Sequence, residues 1–230
     1  MYARLRHRIA LAALATAVLV AALAATALAV TVFAVDFSSR SEYQQIKRSG
    51  GGKACERRYR EKQEAMLVSI KKGPGTCGFR APVQGDAELP DHELTVDTKV
   101  LKTTPKSVRD GAFVELQLRA GGGGVGYTFR VFPKKHSFEL RRGPRGGGSG
   151  FPAEGKNKAI KGIHKRNKLT LIVAGSRITA LANKKQLATV QDRDPGQVSG
   201  RKVRFGIGNA KKSGKDVIAT VKSLAVGVPK

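Results

Sequence analysis

Residues 167–192 carry the pattern that most restricts how this chain can fold. Apolar residues alternate with polar or smaller ones in three short runs, and the turn sequences Gly175-Ser176 and Asn183-Lys184-Lys185 separate the runs. The alternating apolar positions in the first two runs are Leu169, Leu171, Val173, Ile178, Ala180 and Ala182. A side-chain period of two between turn residues is typical of an antiparallel meander with one face toward solvent. We therefore predict three consecutive β-strands between Asn167 and Asp192.

Similar runs recur along most of the chain. Strands are predicted at 65–70, 92–103, 112–119, 127–132, 137–140, 203–207 and 217–226. Residues 56–64 are densely charged and predict one or two helical turns, and the Gly-Pro-Gly sequence within 71–78 predicts a turn. Roughly ten strands with turn signals every 8–12 residues and no long helix indicate an all-β protein. We predict a two-sheet antiparallel sandwich of the jelly-roll type.

A long apolar segment precedes this domain. Residues 1–8 form a basic head with Arg4, Arg6 and Arg8, and residues 9–35 contain no charged side chain. Because about 20 apolar residues cross a bilayer, residues 9–35 are predicted to form a single transmembrane signal-anchor helix. The alternative is a cleaved secretory signal ending at Ala27-Leu28-Ala29, whose apolar region is usually only about 7–15 residues long. Both interpretations export the rest of the chain.

The cysteines and the region after the apolar segment complete the domain plan. Residues 36–54 are interpreted as a stalk or linker, although Val35-Asp36-Phe37 could instead begin the sandwich, and residues 55–230 as the exported domain. Cys55 and Cys77 are the only cysteines, and an even pair in an exported domain predicts a disulfide. Two buried free thiols are the alternative. We expect a single-pass protein of the cell membrane with its C-terminal domain outside the cytoplasm.

The meander and the strand after it resemble the concanavalin A-like lectin/glucanase superfamily, in particular its laminin G-like and 3-keto-disaccharide hydrolase-type members. The positions that carry the resemblance are Asn167, Leu169, Leu171, Gly175, Asn183, Val190, Asp192, Gly200, Val203, Phe205, Gly206, Ile207 and Gly208. Where the family usually has Asn-Gly, this chain has Asn183-Lys184. The resemblance implies the sandwich fold, and with the apolar segment it implies a membrane-anchored bacterial protein. In the family these residues are structural, so they do not imply an activity.

Candidate catalytic groups are few. Glycosidases of this fold place two carboxylates close together on one strand, and Glu88, Asp91 and Glu93 have a different spacing that is interrupted by Pro90. We interpret that cluster as a solvated loop. His136 and His164 have no acidic neighbour in sequence that could orient a general base. Asp192 and Asp194 are too few oxygen donors for a calcium site. No catalytic residue, cofactor or metal is predicted.

The strong positive charge points to an anionic partner. The chain has 43 Lys and Arg residues against 17 acidic ones, a formal net charge of +26. A field of this sign attracts polyanions in a salt-dependent manner. The candidate polyanion-binding residues are Lys134, Lys135, Arg141, Arg142, Lys161, Lys165, Arg166, Lys168, Lys184, Lys185, Arg201 and Lys202. A basic composition that serves only solubility is the alternative explanation.

These observations lead to three functional hypotheses. The first is a non-catalytic, membrane-anchored sandwich that binds an anionic envelope surface or polysaccharide: a cell-wall polymer, an acidic glycan or lipid headgroups. Nucleic acid is disfavoured, because Trp is absent and few Tyr residues are available to stack on bases. The second is a glycan hydrolase of the 3-keto-disaccharide hydrolase type, supported only by the resemblance. The third is a structural or partner-binding ectodomain.

Overall fold

Two antiparallel sheets pack face to face in the computed structural model, which describes residues 30–71, 73–83, 91–121, 126–143, 153–193 and 200–229. The predicted all-β, two-sheet sandwich is therefore confirmed. Within these ranges, no helix is long or apolar enough to cross a membrane. Residues 1–29, which include the predicted basic head and most of the predicted span, lie outside the described residues.

Fifteen strands and one short α-helix make up the described chain. The strands are β1 (Val30–Val35), β2 (Lys47–Arg48), β3 (Cys55–Arg60), β4 (Ala65–Ile70), β5 (Gly73–Arg80), β6 (His92–Val100), β7 (Ala112–Ala120), β8 (Tyr127–Phe132), β9 (Ser137–Arg142), β10 (Ala153–Lys156), β11 (Asn167–Ala174), β12 (Arg177–Ala182), β13 (Lys185–Gln191), β14 (Lys202–Ser213) and β15 (Val217–Val228). The helix α1 spans Arg40–Gln45, and one-turn 3₁₀ helices cover Gly52–Ala54, Glu61–Gln63, Lys106–Val108 and Pro133–Lys135.

The first sheet, sheet A, has the strand order β13-β12-β11-β6-β15-β4-β3, and β1 also pairs with β15. The long strand β15 organises it. The first half of β15 pairs with β4, its last residues pair with β1, and β6 lies along its other side. The predicted meander supplies β11, β12 and β13, which lie consecutively at one edge of the sheet.

The second sheet, sheet B, has the order β10-β9-β8-β7-β14-β5-β2. Strand β14 lies between β5 and β7, so residues far apart in sequence become neighbours there. The inward side chains of both sheets form one apolar core, in which Leu116, Phe129 and Phe205 of sheet B and Leu94 and Leu171 of sheet A are buried. Because inward and outward residues alternate on each strand, the polar residues of sheet B face away from this core.

The turn at Asn183-Lys184 closes the hairpin between β12 and β13 although the second residue is not glycine. Asn183 and Lys184 have φ of 53° and 68°, the left-handed conformation of a two-residue hairpin turn. The Asn183 side chain compensates for part of the strain, because its Nδ2 donates to the carbonyl of Ala159 at 2.6 Å and to Oδ1 of Asn167 at 3.0 Å. The motif residues at this turn are therefore structural.

The boundary predicted for the apolar segment is wrong. Val30–Val35 form β1, and Val35 is buried against the core, so the last six residues of the predicted 9–35 span belong to the sandwich. The stalk predicted at 36–54 is also wrong. Phe37 and Ile46 are fully buried on either side of α1, which places this segment within the domain. A single sequence conceals this, because the apolar residues of β1 continue an apolar run in the sequence without a charged residue between them.

Two further local predictions are wrong. The helical turns predicted within 56–64 are the edge strand β3, followed by a single 3₁₀ turn. Charged side chains hide its period, and such charges are common on edge strands because they discourage aggregation. The turn predicted within 71–78 is largely the strand β5, which lies inside sheet B. Its glycines suggest a turn, but Gly78 lies opposite Gly206 of β14, where the sheet is approached closely by a loop.

The predicted disulfide between Cys55 and Cys77 is confirmed. It joins β3 of sheet A to β5 of sheet B, and both cysteines are buried in the core. The bond therefore links the two sheets close to one edge of the sandwich, where β3 is the edge strand of sheet A and β2 is the edge strand of sheet B.

Replacing both cysteines by serine is expected to lower the free energy of unfolding by about 3 kcal/mol, because the bond closes a loop with a sequence separation of 22 residues. For a domain of this size that corresponds to a fall in Tm of about 6–12 °C. Thermal unfolding of the Cys55→Ser, Cys77→Ser double variant measures it. Reduction of the unaltered protein should reproduce the same shift, and an unchanged Tm in both cases would contradict the prediction.

Candidate groove on the outer face of sheet B

Outward side chains of six neighbouring strands in sheet B line up in one row across the strands. Direct register pairs connect each member to the next. We call this the cationic row, and its members in order are Lys47, Arg80, Arg204, Gln117, Thr128 and Arg141. Neighbouring strands lie about 4.8 Å apart, so the row extends roughly 20–25 Å over the outer face.

A second row runs beside it and contains the buried charges of this face. Glu115, Arg130 and Glu139 are direct neighbours on β7, β8 and β9. Arg130 Nε donates to Glu115 Oε2 at 2.5 Å, and Gln117 Nε2 donates to Glu115 Oε1 at 2.8 Å. The Glu115 side chain is only 5% exposed. A buried carboxylate is stable when it is paired and hydrogen-bonded, and both oxygens of Glu115 are satisfied in this way.

Glycines lower the floor of a groove between these rows. Gly78 and Gly206 occupy the second row on β5 and β14, where they present no side chain. A cavity of about 240 Å³ lies above them. It is lined by residues of the 49–51 loop on one side and by Thr76, Glu115, Gln117, Thr128 and Arg204 on the others.

The disulfide supports the loop that forms one wall of this groove. Gly51 has φ of 95°, and a Cβ at this position would lie 2.6 Å from Cβ of Cys55 and 3.1 Å from Cα of Cys77. The loop therefore packs directly on the Cys55–Cys77 bond. Ser49 N donates to the carbonyl of Gly78 at 2.8 Å, which holds the loop against the sheet. The wall is thus built from rigid parts.

Arg204 is the least satisfied charged group of the groove. Its neighbours Phe205 and Val203 are buried in the core, so its guanidinium lies on the outer face. Arg204 Nε is buried and has no hydrogen-bond partner among the described residues. The hydroxyl of Thr76, on the same face, is likewise buried and without a partner there. Buried polar groups are normally hydrogen-bonded, so these two groups are exceptions, and both belong to residues that line the cavity.

The polyanion candidates of the sequence do not gather at this groove. Only Arg141 belongs to the cationic row, and its Nε also lies 3.4 Å from Glu139. Arg142 is paired with buried Asp192 at 3.3 Å, so it is largely structural. Arg201 and Lys202 lie at the start of β14. The remaining eight lie on turns and loops at one end of the sandwich and are described below.

The acidic and histidine candidates lie elsewhere. Glu88 is outside the described residues, and Asp91 accepts from the backbone of Gly175 at 2.6 Å and pairs with Arg119 at 3.4 Å. His136 Nδ1 is 2.6 Å from the carbonyl of Ile160, which fixes a loop. Asp192 is buried and accepts from the Tyr127 hydroxyl at 2.7 Å. Together with burial, this contact raises the pKa of Tyr127. Asp194, the other residue considered for calcium, lies outside the described residues.

His92, the first residue of the strand predicted at 92–103, is a buried titratable group. It begins β6 and is 2% exposed, and its Nδ1 lacks a partner within the described ranges. Burial and, to a smaller extent, the nearby Arg119 lower the pKa of His92 to about 4, although Asp91 opposes the shift.

Folding stability is therefore expected to depend on pH through His92. The unfolded chain binds this proton near pH 6.5 and the folded chain only near pH 4. Neutral His92 therefore makes its full contribution to the free energy of unfolding above pH 6.5. As the pH falls to 4, the free energy of unfolding decreases by about 3 kcal/mol from this group. Urea unfolding of the unaltered protein and of His92→Gln between pH 4 and pH 7 tests this. The variant should show the shallower fall, and parallel curves would contradict the assignment.

Sequence analysis missed most of the residues that line the groove. Arg204, which borders the cavity, was not among the polyanion candidates, and neither were Lys47 and Arg80 of the cationic row. The signal was present in the alternation, because Phe79-Arg80 and Arg204-Phe205 each place a cation next to a core residue. Alternation alone does not say that these strands are neighbours.

Comparison with known proteins bears on the fold. No family model and no curated protein matches the chain. Among solved structures, a Bacillus subtilis protein with a galectin-like fold is 12% identical over 87% of this chain and 98% of its own, with a TM-score of 0.57. The carbohydrate-binding module CBM66 from Bacillus subtilis is 13% identical over 80% and 95%, with a TM-score of 0.52. A family 7 alginate lyase in complex with substrate is 14% identical over 77% and 82%, with a TM-score of 0.53. At these identities the similarities establish the fold alone, and they are consistent with a concanavalin A-like jelly-roll sandwich.

Proposed function

We propose that this protein binds an acidic polysaccharide in the groove on the outer face of sheet B. The observation that carries the proposal is Arg204, whose guanidinium borders a cavity of about 240 Å³ and whose Nε has no hydrogen-bond partner among the described residues. Guanidinium groups bind carboxylates in a planar, charge-assisted manner. A carboxylate of a sugar acid in the cavity would pair with the Arg204 guanidinium, which forms no ion pair with a described residue.

The arrangement of charges around Arg204 supports the proposal. Lys47, Arg80 and Arg204 are direct neighbours on adjacent strands. Like charges placed opposite one another destabilise a sheet, and no acidic side chain lies in the cationic row. An anionic ligand would relieve this repulsion. Beyond Arg204, the amide of Gln117 and the hydroxyl of Thr128 are suited to sugar hydroxyl groups.

The geometry favours binding over hydrolysis. A glycan hydrolase of the type considered above needs two carboxylates close together, one of them free to give or take a proton. On this face Glu115 and Glu139 are separated by Arg130 on the intervening strand. Glu115 is held by both Arg130 and Gln117. That pairing supports a structural role for the carboxylate.

We further propose that the domain works outside the cytoplasm, where acidic polysaccharides of cell envelopes are found. The Cys55–Cys77 disulfide supports this placement, since such bonds persist in oxidising compartments.

The choice of a polysaccharide as the ligand is supported by names of similar structures. Three of the structures similar to this chain are described by names that refer to carbohydrate: a carbohydrate-binding module, an alginate lyase and a carbohydrate esterase. Anchoring by the apolar N-terminal segment stays a prediction.

The proposal is tested with the full-length chain in a non-ionic detergent. Calorimetry and affinity electrophoresis would compare polygalacturonate and alginate with neutral dextran at low and high salt. Saturable binding to the acidic polymers that weakens with salt is expected, with no binding to dextran. Equal binding to dextran, or binding that is indifferent to salt, would overturn it. If an envelope protein is captured while no polysaccharide is bound, the ectodomain is a protein-binding module instead.

A further inference from the structure

One end of the sandwich collects most of the lysine residues that sequence analysis singled out. We call it the basic end and define it by residues 101–111, 133–136, 157–168, 183–185 and 211–216. Hydrogen bonds hold these segments together. His136 Nδ1 contacts the carbonyl of Ile160 at 2.6 Å, and Asn183 Nδ2 donates to the carbonyl of Ala159 at 2.6 Å. His164 N donates to the carbonyl of Val100 at 3.0 Å, which adds the loop after β6.

The charge of this end is almost entirely positive. These five segments contain fifteen cations and two acids, Asp110 and Asp216. The cations are Lys102, Lys106, Arg109, Lys134, Lys135, Lys158, Lys161, Lys165, Arg166, Lys168, Lys184, Lys185, Lys211, Lys212 and Lys215. Burial lowers the pKa of His164, and the positive charges of Arg109, Lys102 and Lys99 lower it as well. The concentration of positive charge at this end therefore disfavours a further proton on His164. Placing so many like charges together costs stability unless an anion compensates them.

The composition of the basic end restricts the partner. Thirteen of the fifteen cations are lysines, which act as point charges without the planar fork of arginine. The two arginines are engaged. Arg109 donates to the carbonyls of Thr104 and Lys102, and Arg166 pairs with Asp97 at 3.3 Å. None of the five segments contains Phe, Tyr or Trp, the main side chains on which bases stack. This chemistry fits a flexible polyanion that is held by charge rather than by shape.

The path of the chain separates the basic end from the N-terminal segment. Strand β15 starts at Val217, next to the basic end, and ends at Val228, which pairs with Val30 at the start of β1. Twelve residues of β-strand extend about 40 Å, so the segment before β1 joins the sandwich far from the basic end. The only large apolar side chains exposed among the described residues, Val30 and Val32, also lie at the far end. A membrane that held the N-terminal segment would thus face away from the lysines.

We propose that the basic end is a second docking surface, separate from the groove, for a linear polymer that carries phosphate groups, which lysines bind as point charges. A lipid surface is the less suitable occupant, because the lysines lie at the end opposite the segment that would meet a membrane and no large apolar side chain accompanies them. The surface would hold the protein on an anionic polymer of the envelope while the groove engages a sugar acid.

Four neutralising substitutions test this surface. The basic-end variant replaces four exposed lysines of this surface by glutamine: Lys134, Lys135, Lys184 and Lys185. The matched control, Arg58→Gln, Arg60→Gln, Lys62→Gln and Arg177→Gln, removes the same charge from exposed positions outside it. The full-length protein in zwitterionic nanodiscs would be titrated with long-chain inorganic polyphosphate, with tetragalacturonate, and with vesicles containing an anionic lipid.

The basic-end variant should bind polyphosphate at least tenfold more weakly, and its dependence of log K on log salt should fall by about 3–4 if each lost contact contributes about 0.9, as for DNA phosphates. The polyphosphate affinity of the control variant should stay within about twofold of that of the unaltered protein, because its substitutions remove no contact to the polymer. Equal losses in both variants, or binding to anionic vesicles as tight as to polyphosphate, would overturn the inference. Tetragalacturonate carries carboxylates and no phosphate, and its binding should be the same in the basic-end variant and the unaltered protein if it occupies the groove. A failure of tetragalacturonate to bind therefore counts against the groove and leaves the polyphosphate result independent.

Discussion

Replacing Arg204 by glutamine is expected to weaken the binding of tetragalacturonate by roughly 10- to 100-fold. Arg204 is the charged group of the groove whose Nε lacks a hydrogen-bond partner in the part of the chain that the structure describes. A hydrogen bond to a charged group is worth about 1.5–3 kcal/mol, and 1.4 kcal/mol is a factor of ten in affinity. Isothermal titration calorimetry on the full-length chain measures the change. Stability should be nearly unaffected, because the lost guanidinium makes no ion pair with a described residue.

Arg177→Gln is the matched control for this variant. Arg177 is an exposed residue at the start of β12 on sheet A. Its replacement by glutamine removes one positive charge, as Arg204→Gln does, but from the other sheet. If general electrostatic attraction accounts for binding, the two variants will lose affinity equally, and the groove assignment fails. A tenfold or greater difference between them, with unchanged Tm in both, assigns the binding to the outer face of sheet B.

Replacing Arg130 by methionine is expected to lower the free energy of unfolding by about 3–5 kcal/mol, the usual cost of leaving one charge of a buried pair without its partner. The Glu115 side chain is 5% exposed and that of Arg130 is 18% exposed, so water replaces the lost contact poorly. Gln117 would remain as a neutral donor to the carboxylate. Chemical denaturation at pH 7 measures the difference.

The double variant Glu115→Gln, Arg130→Met separates the cost of the stranded charge from the loss of packing. Arg130 also stacks over the Phe113 ring, with its guanidinium carbon 4.8 Å from the ring centroid. If the buried carboxylate is the cause, the double variant should recover most of the stability. If the double variant is as unstable as Arg130→Met, the cost lies in the packing on Phe113.

Arg130 and Arg204 have different roles on the outer face of sheet B. Arg130 neutralises the only acid of the cavity lining, whereas Arg204 remains available. The groove therefore has a net positive character although Glu115 is at its centre. The same pairing supports a structural role for the Glu115 carboxylate.

The all-β sandwich followed from the sequence because its determinants are local. In β7, the alternation of Val114, Leu116 and Leu118 with polar residues marks an inward and an outward face without knowledge of any partner. The meander and the hairpin between β8 and β9 were also predicted, since their turns connect neighbours in sequence. Where the local pattern was weak, as in the charged β3 and the glycine-rich β5, the prediction was wrong.

The groove could not be predicted in the same way. Arg80, Arg204 and Gln117 become neighbours through the pairing of β14 with β5 and β7, although 37 or more residues separate any two of them in the chain. A shift of one residue in either pairing would turn a different set of side chains outward. That register depends on the packing of the whole core, including Phe79 against Phe205 with ring centroids 5.3 Å apart.

The sequence by itself determined the fold class, the disulfide and the excess of positive charge. Each of these depends on residue type and local spacing, which a single chain displays directly. Only the tertiary structure decided where the charge lies: a few arginines around a groove in sheet B, and lysines at the end opposite the first strand. The reason is that side chains distant in sequence share a surface only after strand order and register are set by burial of the core.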